Sequence, residues 1–308
     1  MTTTLTAPLP PLPHAPLVSI VTPSLNAVRF IEQTIRSVLA QDYPHIEYTV
    51  MDGGSTDGTL EILNRFRGRL QYHSQKDNGT AEAVNRGFLC SQGHIFSWIS
   101  ADDVFQPGAV SLAVSRFLAE PETAVVYGES HWIDEGGATF GRYPTTAPYH
   151  PEMFARECSV CQPSCFIRRE AFERIGMLDS RLQSAFDYDL WIRMARDYRF
   201  SAIPEYLACS RMHSGNISLG KRRLMFEENI ALLARHYGYV PVNWVYLYLS
   251  FLRDQRDQFF EPLDPSALTW LASLPVGVYY NRERVGKYLK EWASLTANGL
   301  RRRKNSPG

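Results

Sequence analysis

The sequence of 308 residues predicts an α/β fold, in which a mostly parallel sheet is flanked by helices and followed by a C-terminal helical extension. Short apolar runs rich in β-branched residues alternate with stretches of helical period between about residues 17 and 121. The connections between these segments are short, which favours parallel strands joined by crossover helices. After about residue 218 the chain becomes helical and aromatic.

The first half of the chain supplies four strands, each followed by a helix. Every predicted strand is a short apolar run, and every predicted helix has apolar residues three or four positions apart. Asn26 is the expected N-cap of the first helix, and Thr56 or Asp57 that of the second. In chain order the elements are strand Leu17–Thr22, helix to Leu39, strand Ile46–Met51, helix to Phe66, strand Leu70–His73, helix Ala81–Leu89, strand His94–Ile99 and a helix from Pro107.

The second half is less regular, and its boundaries define the expected domains. Strands are predicted over Ala124–Tyr127, over Cys165–Ile167 and up to Ala208, and helices over Glu170–Ile175 and Tyr188–Asp197. The predicted organisation is a flexible Pro-rich leader (1–16), an α/β domain (17–218), a helical region (219–300) and a basic tail (301–308).

Composition excludes several classes of protein. Lysine plus arginine equals aspartate plus glutamate, at 32 each, so no chain-wide field for nucleic acid is expected. Five cysteines are an odd number, which argues against a complete disulfide framework. Cys158, Cys161 and Cys165 are close enough for a zinc site, but no second Cys or His pair follows, which favours ordinary thiols. Without a signal peptide or a long apolar run, a cytoplasmic location is expected.

Polar residues follow the predicted strands at the point where each strand ends. Ser24, Asp52, Asp77 and the pair Asp102-Asp103 come after strands one to four. Because ligands of open α/β sheets bind beyond the carboxyl ends of the strands, we expect these residues to share one site.

Each acidic group also has a plainer explanation. Asp102-Asp103 is either a metal-binding pair or an ordinary surface pair. Asp52 either accepts bonds from a nucleoside or holds the turn before the next helix. Asp187 and Asp189 are either candidates for a general base or first-turn acids favoured by the helix dipole. A polar cluster of Arg211, His213, Asn216 and Ser218 follows the last strand-like segment.

The ordered set of motifs resembles glycosyltransferase family 2 over residues 17 to 218. The resemblance lies in five segments, which are Val18 to Asn26, Met51 to Thr59, Asp77-Asn78-Gly79 with Ala83 to Gly87, Ile99 to Asp103, and Gln162 to Phe166 with Phe186 to Arg193. It implies a GT-A (Rossmann-like) fold, an inverting and non-processive transferase, and a divalent cation, Mn²⁺ or Mg²⁺. Processive relatives carry a Gln-x-x-Arg-Trp motif, which is absent from this sequence.

The resemblance also assigns roles to individual residues. It places Asp187 at the base position, with Asp189 as the fallback, Asp103 and His213 at the metal, and Asp102 toward the ribose or the metal. Many relatives have Glu before the base Asp, where this chain has Phe186. The residues expected to bind the nucleotide-sugar are Pro23, Ser24, Asp52, Lys76, Asp77, Asn85 and Asp102.

The predicted partners are a nucleotide-diphosphate sugar, with UDP as the expected nucleotide, and a glycan or lipid-linked acceptor. The aromatic C-terminal helices and basic tail either rest on a membrane surface or cap the acceptor cleft. The competing functions are a sugar-1-phosphate nucleotidyltransferase and a dinucleotide oxidoreductase, both of which need a Gly-rich loop that the sequence lacks. A non-catalytic nucleotide-sugar or glycan-binding module stays open.

Overall fold

The computed structural model describes residues 8–146, 151–256 and 264–305. Residues 1–7 of the expected leader and 306–308 of the expected tail therefore lie outside the described part. The described chain divides into two compact units, one formed by residues 1–154 and 158–216 and the other by residues 155–157 and 217–308.

The first unit begins with three strand–helix repeats, which follow the predicted order. Strand β1 is Val18–Ser24, helix α1 is Ile31–Leu39, β2 is Ile46–Asp52, α2 is Thr59–Arg65, β3 is Gln71–Ser74 and α3 is Thr80–Leu89. The alternation of apolar and polar residues therefore located these elements well. For most of their ends, the predicted and observed boundaries differ by no more than about two residues. The remaining elements are β4 (Ile95–Trp98), β5 (Val104–Phe105), α4 (Ala109–Ala119), β6 (Thr123–Ile133), β7 (Thr139–Arg142), β8 (Cys165–Arg168), α5 (Arg169–Ile175), α6 (Phe186–Asp197) and β9 (Arg199–Arg211).

Two predicted caps differ from the structure. Helix α1 begins five residues after Asn26, with Phe30 at its N-cap position. Asn26 instead has a left-handed backbone (φ 50°), and its side-chain oxygen accepts a hydrogen bond from the backbone of Thr56 at 2.9 Å. The N-cap of α2 is Gly58 rather than Thr56 or Asp57, although the Asp57 carboxylate accepts bonds from the backbone nitrogen (3.0 Å) and the hydroxyl of Thr59.

The strands form one sheet in the order β3-β2-β1-β4-β8-β6-β9-β5, with β7 paired to β6. Strands β1 to β4 are mutually parallel, as predicted. Strand β8 is antiparallel to both of its neighbours, and β5 and β7 also pair antiparallel. The sheet is therefore parallel in its first half and mixed in its second, within the predicted α/β class.

The core lies between the sheet and its helices. Val18, Ile20 and Val50 on β1 and β2 are fully buried against Ile31 and Ile35 of α1. Burial of both faces explains why these strands are continuous apolar runs rather than alternating ones. On the other side of the same sheet, the rings of Phe88 and Phe96 stack 4.3 Å apart.

The second unit is helical throughout its described residues. It contains α7 (Ile217–Gly220), α8 (Arg222–Tyr237), α9 (Val242–Asp254), α10 (Ala267–Tyr280) and α11 (Val285–Asn305). Gly277 of α10 touches the ring of Tyr288 of α11, and an added Cβ would fall 1.8 Å from that ring. In the three described ranges, no helix combines the length and the hydropathy that crossing a bilayer requires.

Candidate functional site

The carboxyl edge of the parallel strands brings the first predicted residues together. Ser24 and Asp52 are register partners at the ends of β1 and β2. The backbone nitrogen of Gly53 donates to the carbonyl of Ser24 at 2.8 Å, which fixes the start of the turn after β2. The Ser24 hydroxyl is buried and has no hydrogen-bond partner among the described residues. A buried hydroxyl costs free energy unless a partner satisfies it, so this edge is suited to a polar ligand.

Asp52 is the organiser of this turn. One carboxylate oxygen accepts bonds from the backbone of Gly54 and Ser55, both at 3.0 Å, and from the Ser74 hydroxyl at 2.6 Å. The other oxygen accepts the Ser55 hydroxyl. The turn-holding interpretation of Asp52 is therefore the one that its contacts support directly.

Asp77 lies against the same turn. An added Cβ at Gly53 would meet its Oδ2 at 2.9 Å, so only glycine allows this carboxylate to come so close to the backbone. Burial raises the pKa of Asp77, and the charges of Glu82 and Asp52 raise it further. Lys76, next to it, is exposed, while Pro23 lies inside β1 opposite Met51.

Asn85 has a different environment from the one expected. Its amide nitrogen donates to the carbonyl of Leu178 at 2.9 Å, and its amide oxygen accepts the Leu178 backbone nitrogen at 3.0 Å. The side chain thus joins α3 to the segment before α6. Both polar atoms of the Asn85 amide thus have a backbone partner, and the contact of Asn85 with the nucleotide-sugar stays a prediction.

Asp102 and His213 form a partly exposed pair of ligand-type side chains at this edge. The Nε2 of His213 lies 2.9 Å from the Oδ2 of Asp102, and both side chains are partly exposed. The ring of His213 packs 4.9 Å from that of Phe30. An imidazole beside a carboxylate offers one nitrogen and one oxygen ligand, a donor set that suits Mn²⁺ better than Mg²⁺.

Asp103, in contrast, points into the protein. Its Oδ1 accepts the backbone nitrogen of Arg211 at 2.8 Å, and its carboxylate is buried. Burial raises the pKa of Asp103 well above its usual value, and the charge of Asp102 adds to this effect. The structure thus joins His213 to Asp102 and gives Asp103 a place beneath the pair, whereas the sequence suggested His213 with Asp103.

Arg211 connects the backbone of Asp102 to three other segments of the first unit. Its Nε donates to the carbonyl of Asp102 at 2.8 Å, and one terminal nitrogen donates to the carbonyls of Asp134 (2.8 Å) and Glu135 (3.0 Å). The other terminal nitrogen donates to the Gln33 side chain at 2.7 Å. The polar cluster in the sequence contained Arg211, but the pattern gave no sign of these distant partners.

The two candidate bases on α6 differ in their surroundings. Asp189 is buried and bonds the Nε of Arg193 at 2.7 Å. Arg193 also donates to the carbonyls of Ile175, Gly176 and Met177. Asp187 is only partly buried, and its Oδ1 accepts the backbone nitrogen of Tyr188 at 2.7 Å. The structure therefore commits Asp189 to an ion pair and leaves Asp187 as the more accessible carboxylate.

The thiol of Cys161 lies near Asp103, which is next to the Asp102–His213 pair, and near Asp187, the more accessible candidate base. Burial raises its pKa, and the charges of Asp103 and Asp187 both raise it further. The two aspartates therefore lie in the same region of the first unit, although 84 positions separate them in the chain.

The thiols of the cysteine segment make hydrogen bonds to nearby backbone carbonyls. Cys165 donates to the carbonyl of Cys161 at 3.2 Å, and Cys158 to that of Val160 at 3.8 Å. Across residues 8–146, 151–256 and 264–305, no group of three or more His, Cys, Asp or Glu side chains is arranged for a metal. A cation at Asp102 and His213 would therefore need oxygens from a ligand or water to complete its shell.

The first unit matches a known protein family. The model of the family described as "Glycosyl transferase family 2" matches residues 19–176, just over half of the chain. An uncharacterized glycosyltransferase of Rickettsia prowazekii is 28% identical over 213 residues, covering 65% of this chain and 65% of that protein. The hyaluronan synthase of Pasteurella multocida is 25% identical over 215 residues, covering 68% of this chain and 22% of that protein.

Solved structures share the fold. S. aureus TarS 1-349 in complex with UDP-GlcNAc has a TM-score of 0.59 at 16% identity, covering 87% of this chain and 82% of that one. The mannosyltransferase PcManGT from Pyrobaculum calidifontis, in complex with GDP-Man and Mn²⁺, has a TM-score of 0.54 at 20% identity, covering 95% and 82%. These likenesses confirm the GT-A fold. The chain spans between about a third and two thirds of the length of the first curated relatives that it matches.

Proposed function

Since the chain belongs to glycosyl transferase family 2, we propose that it transfers one sugar from a nucleoside-diphosphate sugar to a hydroxyl of a glycan or lipid-linked acceptor. The observation that supports this most is the Asp102–His213 pair beside the carboxyl edge of β1 and β2. The Asp102–His213 pair could hold a cation beside a charged diphosphate, and the polar edge of β1 and β2 could bind the nucleoside.

We propose that the nucleoside binds along the edge formed by Pro23, Ser24, Asp52, Lys76 and Asp77. The unsatisfied Ser24 hydroxyl gains a partner when a ribose or base is bound. Asp77, whose pKa is raised by burial, has one oxygen bonded to Gly79 and the other against Gly53. UDP is the expected nucleotide. Of the two structural neighbours described above, one is in complex with UDP-GlcNAc and the other with GDP-Man, so uracil and guanine are both tested below.

The proposed cation site consists of Asp102 and His213, with Asp103 fixing the backbone beneath them. Bound there, Mn²⁺ or Mg²⁺ would neutralise the diphosphate leaving group, where negative charge develops. Arg211 orients Asp102 by its bond to that residue's carbonyl. Asp103 anchors the backbone of Arg211 through a buried hydrogen bond.

We propose Asp187 as the general base. It takes the proton from the acceptor hydroxyl while that oxygen attacks the anomeric carbon, in a single displacement that inverts the configuration. Asp189 is bonded to Arg193, so it acts as a support for the helix that carries Asp187. Phe186 stands where many relatives have Glu, which makes the non-catalytic binding module the alternative that a turnover assay must exclude.

Thermal unfolding with UDP, GDP and dTDP, with and without Mn²⁺, tests the proposal. A ligand that binds only the folded state raises the melting temperature by mass action. We expect a Mn²⁺-dependent rise with one nucleotide, which Asp102→Ala abolishes and the matched surface variant Asp42→Ala keeps. No rise with any nucleotide at millimolar concentration would contradict the donor site, and binding without product formation would favour the binding module.

A further inference from the structure

Helix α10 has an unusual distribution of side chains for a surface helix. No residue from Ala267 to Tyr280 carries a charge. The buried side chains of the helix are small or polar, namely Thr269, Ser273 and Gly277. They face the neighbouring helices, because the Arg253 guanidinium of α9 donates to the Thr269 hydroxyl at 3.2 Å and the Tyr288 hydroxyl of α11 donates to the carbonyl of Ser273 at 2.8 Å.

The opposite side of α10 is apolar and exposed. Leu268 is 79% exposed, Leu271 57% and Tyr279 61%. Residues at these spacings lie on one face of a helix. We call this face the apolar stripe, and its members are Ala267, Leu268, Leu271, Ala272, Pro275 and Tyr279. Apolar side chains gathered on one exposed face, with small polar ones inside, are typical of an interaction surface.

Positive charge is concentrated in this part of the chain, and one basic side chain lies at the end of the apolar stripe. From residue 267 to 305 the sequence has eight Lys or Arg against two Glu, while the whole chain is neutral. The Arg282 guanidinium lies 4.3 Å from the Tyr279 ring centroid, at the C-terminal end of the stripe. Lys287 and Lys290 on α11 are exposed.

Helix α11 runs antiparallel to α10. Tyr288 contacts Ser273, whereas Trp292 and Thr296 contact Trp270. The final turns of α11, which ends at Asn305, therefore continue beyond the start of α10.

We propose that α10 docks in the plane of an anionic phospholipid surface, with the apolar stripe in the acyl boundary and the basic groups at the headgroups. A helix of 14 residues is about 21 Å long and carries a polar buried face, so it lies in the interface rather than across the bilayer. A symmetric contact between two copies would bring the same basic flanks together, which disfavours that occupant. The proposal concerns location only and does not depend on the transferase activity.

Vesicle flotation of the full chain tests the proposal. We expect binding to vesicles of phosphatidylcholine with phosphatidylglycerol at low salt, and weaker binding in high salt or to phosphatidylcholine alone, because surface charge attraction is screened. Leu268→Glu with Leu271→Glu should weaken partitioning by about a hundredfold, since burial of each leucine contributes about tenfold.

Leu89→Glu is the matched control, because Leu89 is 70% exposed at the end of α3 in the first unit. This variant should float like the wild type, and circular dichroism should show that all variants remain folded. Failure of the wild type to bind anionic vesicles, or equal binding by the double variant, would overturn the proposal. A dimer of the wild type that the double variant loses, without vesicle binding by either, would assign the stripe to a second copy instead.

Discussion

At the scale of single residues, adjacent carboxylates have opposite environments. Asp102 lies beside His213 in a partly exposed position, whereas Asp103 is buried under the backbone of Arg211. The sequence identified both residues and their place at the end of a strand. It did not show which of the two meets His213, because Asp102 lies in a turn, and the backbone of that turn determines the direction of each side chain.

Asp187 and Asp189 differ in the same way, which leads to a prediction for stability. Asp189→Asn leaves Arg193 without its buried ionic partner, so the free energy of unfolding should fall by about 3 kcal/mol. Asp187→Asn keeps an oxygen that accepts the Tyr188 backbone nitrogen, so the loss should stay below about 1 kcal/mol.

Urea denaturation of both variants, with sugar transfer measured in parallel, checks this expectation. Asp187→Asn should unfold like the wild type and lose transfer. Full turnover by Asp187→Asn would move the base elsewhere, and an unchanged stability of Asp189→Asn would remove the structural role of that ion pair.

At the scale of elements, the sequence located the first-half strands and helices because their hydrophobic period is regular. It underestimated β6, which extends from Thr123 to Ile133 rather than ending at Tyr127. The added part includes Glu129 and His131, polar residues that interrupt the apolar run, and β6 is held there by pairing with β9 across register shifts. Such pairing depends on distant residues, so local patterns did not reveal it.

Helix α10 gives a second prediction, at the contact of Gly277 with Tyr288. Gly277→Ala places a methyl group into the Tyr288 ring, so the second unit should lose about 1–3 kcal/mol of stability through overpacking. Gly286→Ala on α11 meets nothing within 4 Å and should be neutral or stabilising by about 0.5–1 kcal/mol, because alanine favours a helix over glycine.

Circular dichroism melting of the two variants measures the difference between them. The paired substitutions exchange the same atoms, so helix propensity alone cannot account for opposite effects. Equal stability of Gly277→Ala and Gly286→Ala would show that α10 and α11 do not pack through this contact.

At the scale of the whole molecule, the α/β class and the family could be predicted from the sequence, but the order of the strands could not. The antiparallel insertion of β8 between β4 and β6 joins segments about 40 to 70 residues apart. The short apolar run of β8 is equally compatible with parallel and with antiparallel pairing to its neighbours.

This topology predicts how backbone protection varies through the sheet. Strands β1, β4, β8 and β6 have a hydrogen-bonded neighbour on each side, whereas β3 and β5 lie at the ends of the strand order. Native-state amide exchange should therefore be slowest in β1 and β4 and at least tenfold faster in β3. Mass spectrometry of peptic fragments provides the measurement, and equal exchange in β3 and β1 would contradict the strand order.

Arg211 has a further consequence for the order in which the molecule is made. Its contacts gather the carbonyls of Asp102, Asp134 and Glu135 and the side chain of Gln33, and it comes at the end of the last strand. During translation, the proposed nucleoside-binding residues between Pro23 and Asp77 are synthesised well before Arg211, which bonds the backbone of Asp102. A nascent chain halted before residue 211 would lack both Arg211 and His213, so the pair of Asp102 and His213 can form only after the last strand of the first unit has been made.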